Sequence, residues 1–119
     1  MSDKSLDQIE KVIQDIVEKL RRDYSPQRII LFGSFAEGNP RRGSDIDLLI
    51  IKETSERFID RWVTVRRILT DPQRKVSLDT FVLTPEEIKQ RVDVGDQFII
   101  EILEQGKVLY DAEGVAVSR

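Results

Sequence analysis

Residues 31–51 read LFGSFAEGNPRRGSDIDLLII, two apolar segments separated by a polar turn. The first segment ends abruptly at Gly33-Ser34, and the second begins after Asp45 and Asp47. Because successive side chains of a strand point to opposite faces, the two aspartates would share one face. Adjacent carboxylates repel each other unless they are solvated or bridged by a cation. A Gly-Ser turn offers backbone N–H groups and a hydroxyl to a phosphate, so this run indicates a metal–nucleotide site.

The composition of the chain restricts its chemistry. The sequence contains no cysteine and no histidine, which excludes disulfides, thiolate zinc sites, Ser-His-Asp hydrolysis and most zinc catalysis. Any catalysis must therefore use carboxylates, hydroxyls, Lys, Arg and a bound metal. The net charge of −3 argues against a nonspecific grip on nucleic acid, which requires a basic surface.

The length of 119 residues predicts one domain over residues 1–119, without an internal repeat or linker. No apolar run approaches the roughly 18 residues of a membrane span. The N-terminus lacks the basic-then-apolar layout of a signal peptide, so we expect a cytoplasmic protein. Residues 112–119 are predicted to form a loose tail.

The periodicity of apolar residues predicts an α/β fold. Spacings of three and four residues indicate helices, whereas alternation or continuous apolar runs indicate strands. The expected elements, in chain order, are helix 5–22, strand 28–32, helical turn 34–37, strand 45–52, helix 55–70, strand 75–83, a helix opening at Thr84, helix 95–105 and strand 107–110. This order predicts a small mixed β-sheet with helices packed mainly on one side.

Two helices carry more specific expectations. In the helix that follows Thr84, Pro85 suits the first position and Glu87 completes a capping box. In helix 55–70, an apolar face is predicted to place Trp62 in the core. That face contains Phe58, Ile59, Trp62, Val65 and Leu69. The basic residues of this region are expected to be a solvated surface rather than a nucleic-acid site. They are Arg61, Arg66, Arg67, Arg74 and Lys75.

Asp79 is an acid within the otherwise apolar strand 75–83. A lone carboxylate there is costly unless it is paired, solvated or bound to metal. If this strand lies beside strand 45–52, Asp79 shares a face with Asp45 and Asp47, and the three carboxylates suit Mg²⁺. The simpler alternatives are that Asp79 pairs with Lys75 or Arg74 at the surface, and that the other two acids are a solvated strand start.

The combined pattern resembles a known family. Gly33-Ser34, ten residues, Asp45-Ile46-Asp47 and a later strand acid at Asp79 are similar to the minimal nucleotidyltransferase domain of the DNA polymerase β superfamily. The resemblance covers residues 6–111 and implies a palm-like nucleotidyltransferase fold. Single-domain members commonly occur beside a small helical HEPN partner, as the antitoxin of a toxin–antitoxin pair.

The resemblance also implies roles for individual residues. Asp45 and Asp47 would hold one or two catalytic Mg²⁺ ions, and Asp79 would complete the site. Gly33 and Ser34 would hold the β- and γ-phosphates of ATP. The residue before the first acid, Ser44, matches the usual Ser-Asp pair and is a candidate supporting residue for nucleotide binding.

The family's implied reaction is transfer of AMP from ATP to a residue of the partner, typically a tyrosine. Members often have two arginines where this chain has Phe35 and Glu37, and Arg41 and Arg42 are candidates to compensate for them. That difference keeps open a second hypothesis, an antitoxin that neutralises a HEPN toxin by contact alone. A small-molecule nucleotidyltransferase is the third hypothesis, and the sequence leaves the oligomeric state open.

Overall fold

The computed structural model describes residues 3–117. In chain order, the elements are α1 (Asp3–Asp23), β1 (Arg28–Phe32), α2 (Ser34–Glu37), β2 (Ile46–Ile51), α3 (Phe58–Leu69), β3 (Leu78–Leu83), α4 (Pro85–Asp93), α5 (Gln97–Gln105), β4 (Lys107–Asp111) and α6 (Ala112–Val117). This order confirms the predicted alternation of helices and strands. None of the helices described is long and apolar enough to cross a membrane.

The four strands form one mixed sheet in the order β3-β2-β1-β4. β1 pairs antiparallel with both β2 and β4, whereas β2 and β3 run parallel. The continuous apolar sequence of β1 and β2 is explained by their central position, because a central strand covered on both sides is buried on both faces. The predicted α/β fold is therefore confirmed.

Each face of the sheet has its own hydrophobic core. The two longest helices, α1 and α3, pack with one face, which includes Ile29, Leu48 and Ile50. On the opposite face Ile30 and Leu49 pack with residues of α5. The long helices thus lie on one side as expected, and the shorter α5 covers only part of the other side.

The buried face of α3 differs from the prediction. Arg61 is buried with Val65 and Leu69, whereas Trp62 is 37% exposed. Phe58 and Ile59 are also exposed, so the prediction that this apolar group is core was wrong for its N-terminal half.

A polar interaction explains why Arg61 can be buried. The Arg61 guanidinium makes hydrogen bonds of 2.6 and 3.3 Å to the two carboxylate oxygens of Glu87. It also donates to the carbonyls of Glu56 and Val82. A guanidinium this well satisfied can be buried. Arg61 is therefore not part of the solvated basic surface that the sequence predicted.

The segments that follow the third and fourth strands depend on capping. In α4, Thr84 Oγ1 accepts from the N–H of Glu87, and the Glu87 carboxylate accepts from the N–H of Thr84, which confirms the predicted capping box. At the C-terminus, Asp111 Oδ1 accepts from the N–H groups of Glu113 and Gly114. This cap begins α6 over residues 112–117 of the predicted loose tail, because a capping carboxylate satisfies N–H groups at the start of a helix. Residues 118–119 of that prediction lie outside the described residues.

Candidate active site

The register of the sheet places two of the candidate acids side by side. Asp47 of β2 is paired with Asp79 of β3, and with Phe32 of β1 on its other side. Directly paired residues point to the same face, so the two carboxylates share one surface. Asp45 immediately precedes β2 and is exposed at the same end of the sheet. We call these three acids the acid row.

The carboxylates of the acid row influence one another. Burial raises the pKa of the Asp47 carboxyl above its ordinary value, and the negative charges of Asp79 and Asp45 raise it further. The ionised form of Asp47 is therefore destabilised by its surroundings. A bound cation would relieve this repulsion, because opposite charge favours the ionised carboxylate.

The Gly33 turn packs directly against the acid row. Gly33 has a φ of +78° and a ψ of −160°, a combination that is almost restricted to glycine. A Cβ atom built on Gly33 would lie 2.2 Å from Asp47 Oδ2. Glycine is thus required both by the backbone conformation and by the close approach of the carboxylate.

The residue after Gly33 begins α2. The carbonyl of Gly33 accepts from the N–H groups of Ala36 and Glu37, each at 3.1 Å. The first N–H groups of a helix have no partner within the helix and can bind an anion. The predicted phosphate turn, Gly33 and Ser34, is therefore brought to the acid row by the short connection between β1 and α2.

Ser44 closes the turn that leads into the acid row. Its hydroxyl accepts from the N–H of Arg41 at 2.8 Å, and its own N–H donates to the carbonyl of Arg41 at 2.9 Å. These bonds fix the chain just before Asp45. Ser44 therefore shapes the loop, while its predicted role toward a nucleotide stays a prediction.

The alternative that Asp79 pairs with Lys75 or Arg74 is not supported, because the salt bridges among residues 3–117 involve other acids. Arg74 instead donates a hydrogen bond to the carbonyl of Leu69. Asp79 is exposed beside Asp47. Its carboxylate is therefore accessible to a metal or to an acceptor hydroxyl.

The acid row fits Mg²⁺ as a partial ligand set. Among residues 3–117, no group of three or more His, Cys, Asp or Glu side chains is placed to hold a metal ion by itself. Mg²⁺ does not require one, since it is commonly held by one or two carboxylates together with substrate phosphates and water. The mutual repulsion at Asp47 and the adjacent phosphate turn match that arrangement.

A cationic cleft of about 530 Å³ lies at the 40–44 loop that leads into the acid row, and the sequence analysis did not predict all of its lining. It is lined by Arg41 and Arg42, by Lys75 from the segment before β3, and by Ser44. The sequence suggested the two arginines as replacements for those missing from α2. Lys75 was missed because its approach to the 40–44 loop depends on the parallel pairing of β2 and β3.

Comparison with known proteins identifies the family. The family model described as "Polymerase beta, Nucleotidyltransferase" matches residues 14–114. The chain belongs to this nucleotidyltransferase family. A relative from Methanocaldococcus jannaschii, named "Putative protein adenylyltransferase MJ0604", is 31% identical over 103 residues, which cover 85% of this chain and 97% of the relative.

Solved structures share the nucleotidyltransferase fold. A "putative nucleotidyltransferase" from Sulfolobus solfataricus has a TM-score of 0.65 and 24% identity, covering 92% of this chain and 86% of its own. A structure described as a toxin-antitoxin with AMP-PNP has a TM-score of 0.57 and 24% identity, covering 86% of this chain and 75% of its own. These similarities confirm the predicted polymerase β-like fold.

Proposed function

We propose that this nucleotidyltransferase transfers AMP from ATP to a protein acceptor, and that the acceptor is a HEPN toxin for which it is the antitoxin. The observation that carries the proposal is the acid row packed against the Gly33 turn, with Asp47 and Asp79 in register. The name of the Methanocaldococcus relative supports a protein acceptor. The toxin-antitoxin structure with AMP-PNP supports an adenine nucleotide and a toxin partner.

The proposed reaction is a displacement at the α-phosphorus of ATP. The acceptor hydroxyl oxygen forms a bond to that phosphorus, and the bond between the phosphorus and the oxygen bridging to the β-phosphate breaks. Pyrophosphate leaves with the electron pair of the broken bond. Asp79 accepts the hydroxyl proton, since its carboxylate is exposed and lies beside Asp47 in the acid row.

The other residues of the site position ATP for this displacement. The turn at Gly33 and Ser34 holds the β- and γ-phosphates, and Asp45 and Asp47 would hold Mg²⁺. When bound, Mg²⁺ supplies Lewis-acid stabilisation of the charge that develops on the phosphate oxygens. Arg41, which borders the cationic cleft, offsets further phosphate charge from one side of α2.

A label-transfer experiment tests this function. The protein is incubated with ATP labelled at the α-phosphate, Mg²⁺ and the product of the neighbouring gene, the proposed HEPN protein. We expect labelled HEPN protein with the native enzyme and none with the Asp45→Asn/Asp47→Asn variant. Equal labelling by that variant, or no labelling by the native protein, would contradict the proposal.

A second candidate function is neutralisation by contact without catalysis. The exposed apolar face of α3, including Phe58, Ile59 and Val63, favours it because such faces mark protein interfaces. Co-expression of the toxin with the Asp45→Asn/Asp47→Asn variant separates the two functions. Growth rescued by the variant supports contact alone, whereas growth rescued only by the native protein supports catalysis.

A further inference from the structure

Three aromatic rings pack together on the face of the sheet that carries the acid row. Phe32 of β1 lies edge-on to Phe81 of β3, with ring centroids 5.8 Å apart. Phe98 of α5 lies edge-on to Phe32 at 5.7 Å and is nearly parallel to Phe81 at 6.0 Å. Such separations are those of favourable aromatic pairs. Phe98 is thus held over the sheet by contacts to two strands.

The position of this aromatic group follows from the strand register. Phe32 is paired with Asp47, and Phe81 is two residues after Asp79 on the same face of β3. Phe98 contacts both rings, so it lies next to the acid row and on the same side of the sheet. The helix that carries it is anchored, because Ile99 and Ile102 are buried.

Phe98 nevertheless leaves much of its ring uncovered. The residue is 54% exposed, although the next residue in the helix is buried. Phe98 and Phe32 line a cavity of about 240 Å³ that also contacts Gly33, Glu101 and Gln105. This volume lies below the roughly 300–1,000 Å³ of a typical ligand pocket. The cavity therefore suits one planar ring rather than a whole nucleotide.

We propose that the exposed ring of Phe98 stacks the purine base of the bound nucleotide. The inference rests on the proposed function for the presence of ATP, and adds where its base lies. Phosphates held at Gly33 tether the base next to the cavity that Gly33 and Phe98 share. Bases of every kind have a π-face, and stacking on an aromatic side chain is a common means of holding them.

The rim of the cavity adds a preference among bases. Glu101 is three residues after Phe98, so the two side chains lie on the same face of α5. An ionised carboxylate only accepts hydrogen bonds. Glu101 can therefore accept from the exocyclic amino group of adenine, whereas the keto oxygen of hypoxanthine at the same position would be repelled. The proposal therefore includes weaker binding of an ITP analogue than of the ATP analogue, and equal binding of the two by the native protein would contradict this preference.

Equilibrium binding of nucleotides in the presence of Mg²⁺ tests the inference. A non-hydrolysable ATP analogue and inorganic tripolyphosphate are titrated into the native protein and into Phe98→Ala. Removal of the ring should weaken binding of the ATP analogue about 5- to 150-fold, which corresponds to the roughly 1–3 kcal/mol of base–aromatic stacking. Tripolyphosphate, which has no base, should bind both proteins equally. Phe98→Tyr, which keeps a ring, should retain native affinity.

Phe58→Ala is the matched control, because Phe58 is 52% exposed but lies on α3, away from the acid row. It should bind the ATP analogue with native affinity. The inference is overturned if Phe98→Ala binds the analogue normally, or if it loses analogue and tripolyphosphate affinity together. It is also overturned if native protein binds both ligands equally. A failure to label HEPN protein in the separate transfer assay would contradict the proposed function alone.

Discussion

Substitution of Gly33 by alanine should abolish most catalysis without unfolding the protein. The new Cβ would lie 2.2 Å from Asp47 Oδ2, whereas ordinary contacts begin at 3.4 Å. The carboxylate must therefore move by more than an ångström. A displacement of this size at a reacting centre costs roughly 10²-fold in rate. The backbone conformation, with φ of +78° and ψ of −160°, adds about 1–3 kcal/mol of strain for a residue with a side chain.

The chain provides a control for a side chain at positive φ, at a glycine whose ψ is 13° in place of −160°. Gly38 has the same φ of +78°, and a Cβ built on it meets no atom within 4 Å. Gly38→Ala should cost about 1–2 kcal/mol of stability, as a left-handed residue does, and leave the acid row in place. Urea unfolding measures the stability of both variants. The rate of AMP transfer to the proposed HEPN acceptor should fall only for Gly33→Ala.

Two results would refute this reasoning. If Gly33→Ala transfers AMP at the native rate, the close approach to Asp47 has no catalytic importance. If Gly38→Ala loses as much activity as Gly33→Ala, backbone strain in α2 explains the loss, and displacement of the carboxylate does not.

Three further substitutions test the packing and the charges. Arg61→Ala should reduce the free energy of unfolding by about 2–3 kcal/mol in urea titrations; this is less than the ~3–5 of a fully buried pair, because the Glu87 side chain is 35% exposed. Trp62→Ala should lower the free energy of unfolding by only about 1 kcal/mol because the residue is partly exposed. A loss of ~3–5 kcal/mol would show that Trp62 belongs to the core. Asp47→Asn should raise the melting temperature at neutral pH, because the folded state raises the pKa of Asp47 and disfavours its ionised form. That gain should vanish as the pH falls below the ordinary carboxyl pKa, where Asp47 is protonated in both states; a gain independent of pH would contradict it.

Local sequence signals predicted much of the fold. β1 was predicted at its observed bounds, and the capping box of α4 was predicted residue by residue from Thr84 and Glu87. Both depend on interactions within a few residues of the chain. The relation of Asp47 to Asp79 required the assumption that their strands are neighbours, which the parallel register of β2 and β3 bears out.

Features set by distant contacts were harder to predict. The apolar pattern of α3 favoured Trp62 as core. The buried residue is instead Arg61, whose ion pair with Glu87 joins residues 26 positions apart. Likewise, Phe98 is one of several apolar residues in the sequence of α5. Its place beside the acid row depends on contacts with Phe32 and Phe81 from two different strands, which no local pattern reveals.

The most direct test of the central claim compares ATP labelled at the α-phosphate with ATP labelled at the γ-phosphate. Native protein, Mg²⁺ and the proposed HEPN acceptor are incubated with each, and the acceptor is examined for label. An AMP transferase built on Asp45 and Asp47 predicts label from the α-phosphate alone, and none after Asp45→Asn/Asp47→Asn. Label from the γ-phosphate, or α-label that survives the loss of both acids, would contradict the account.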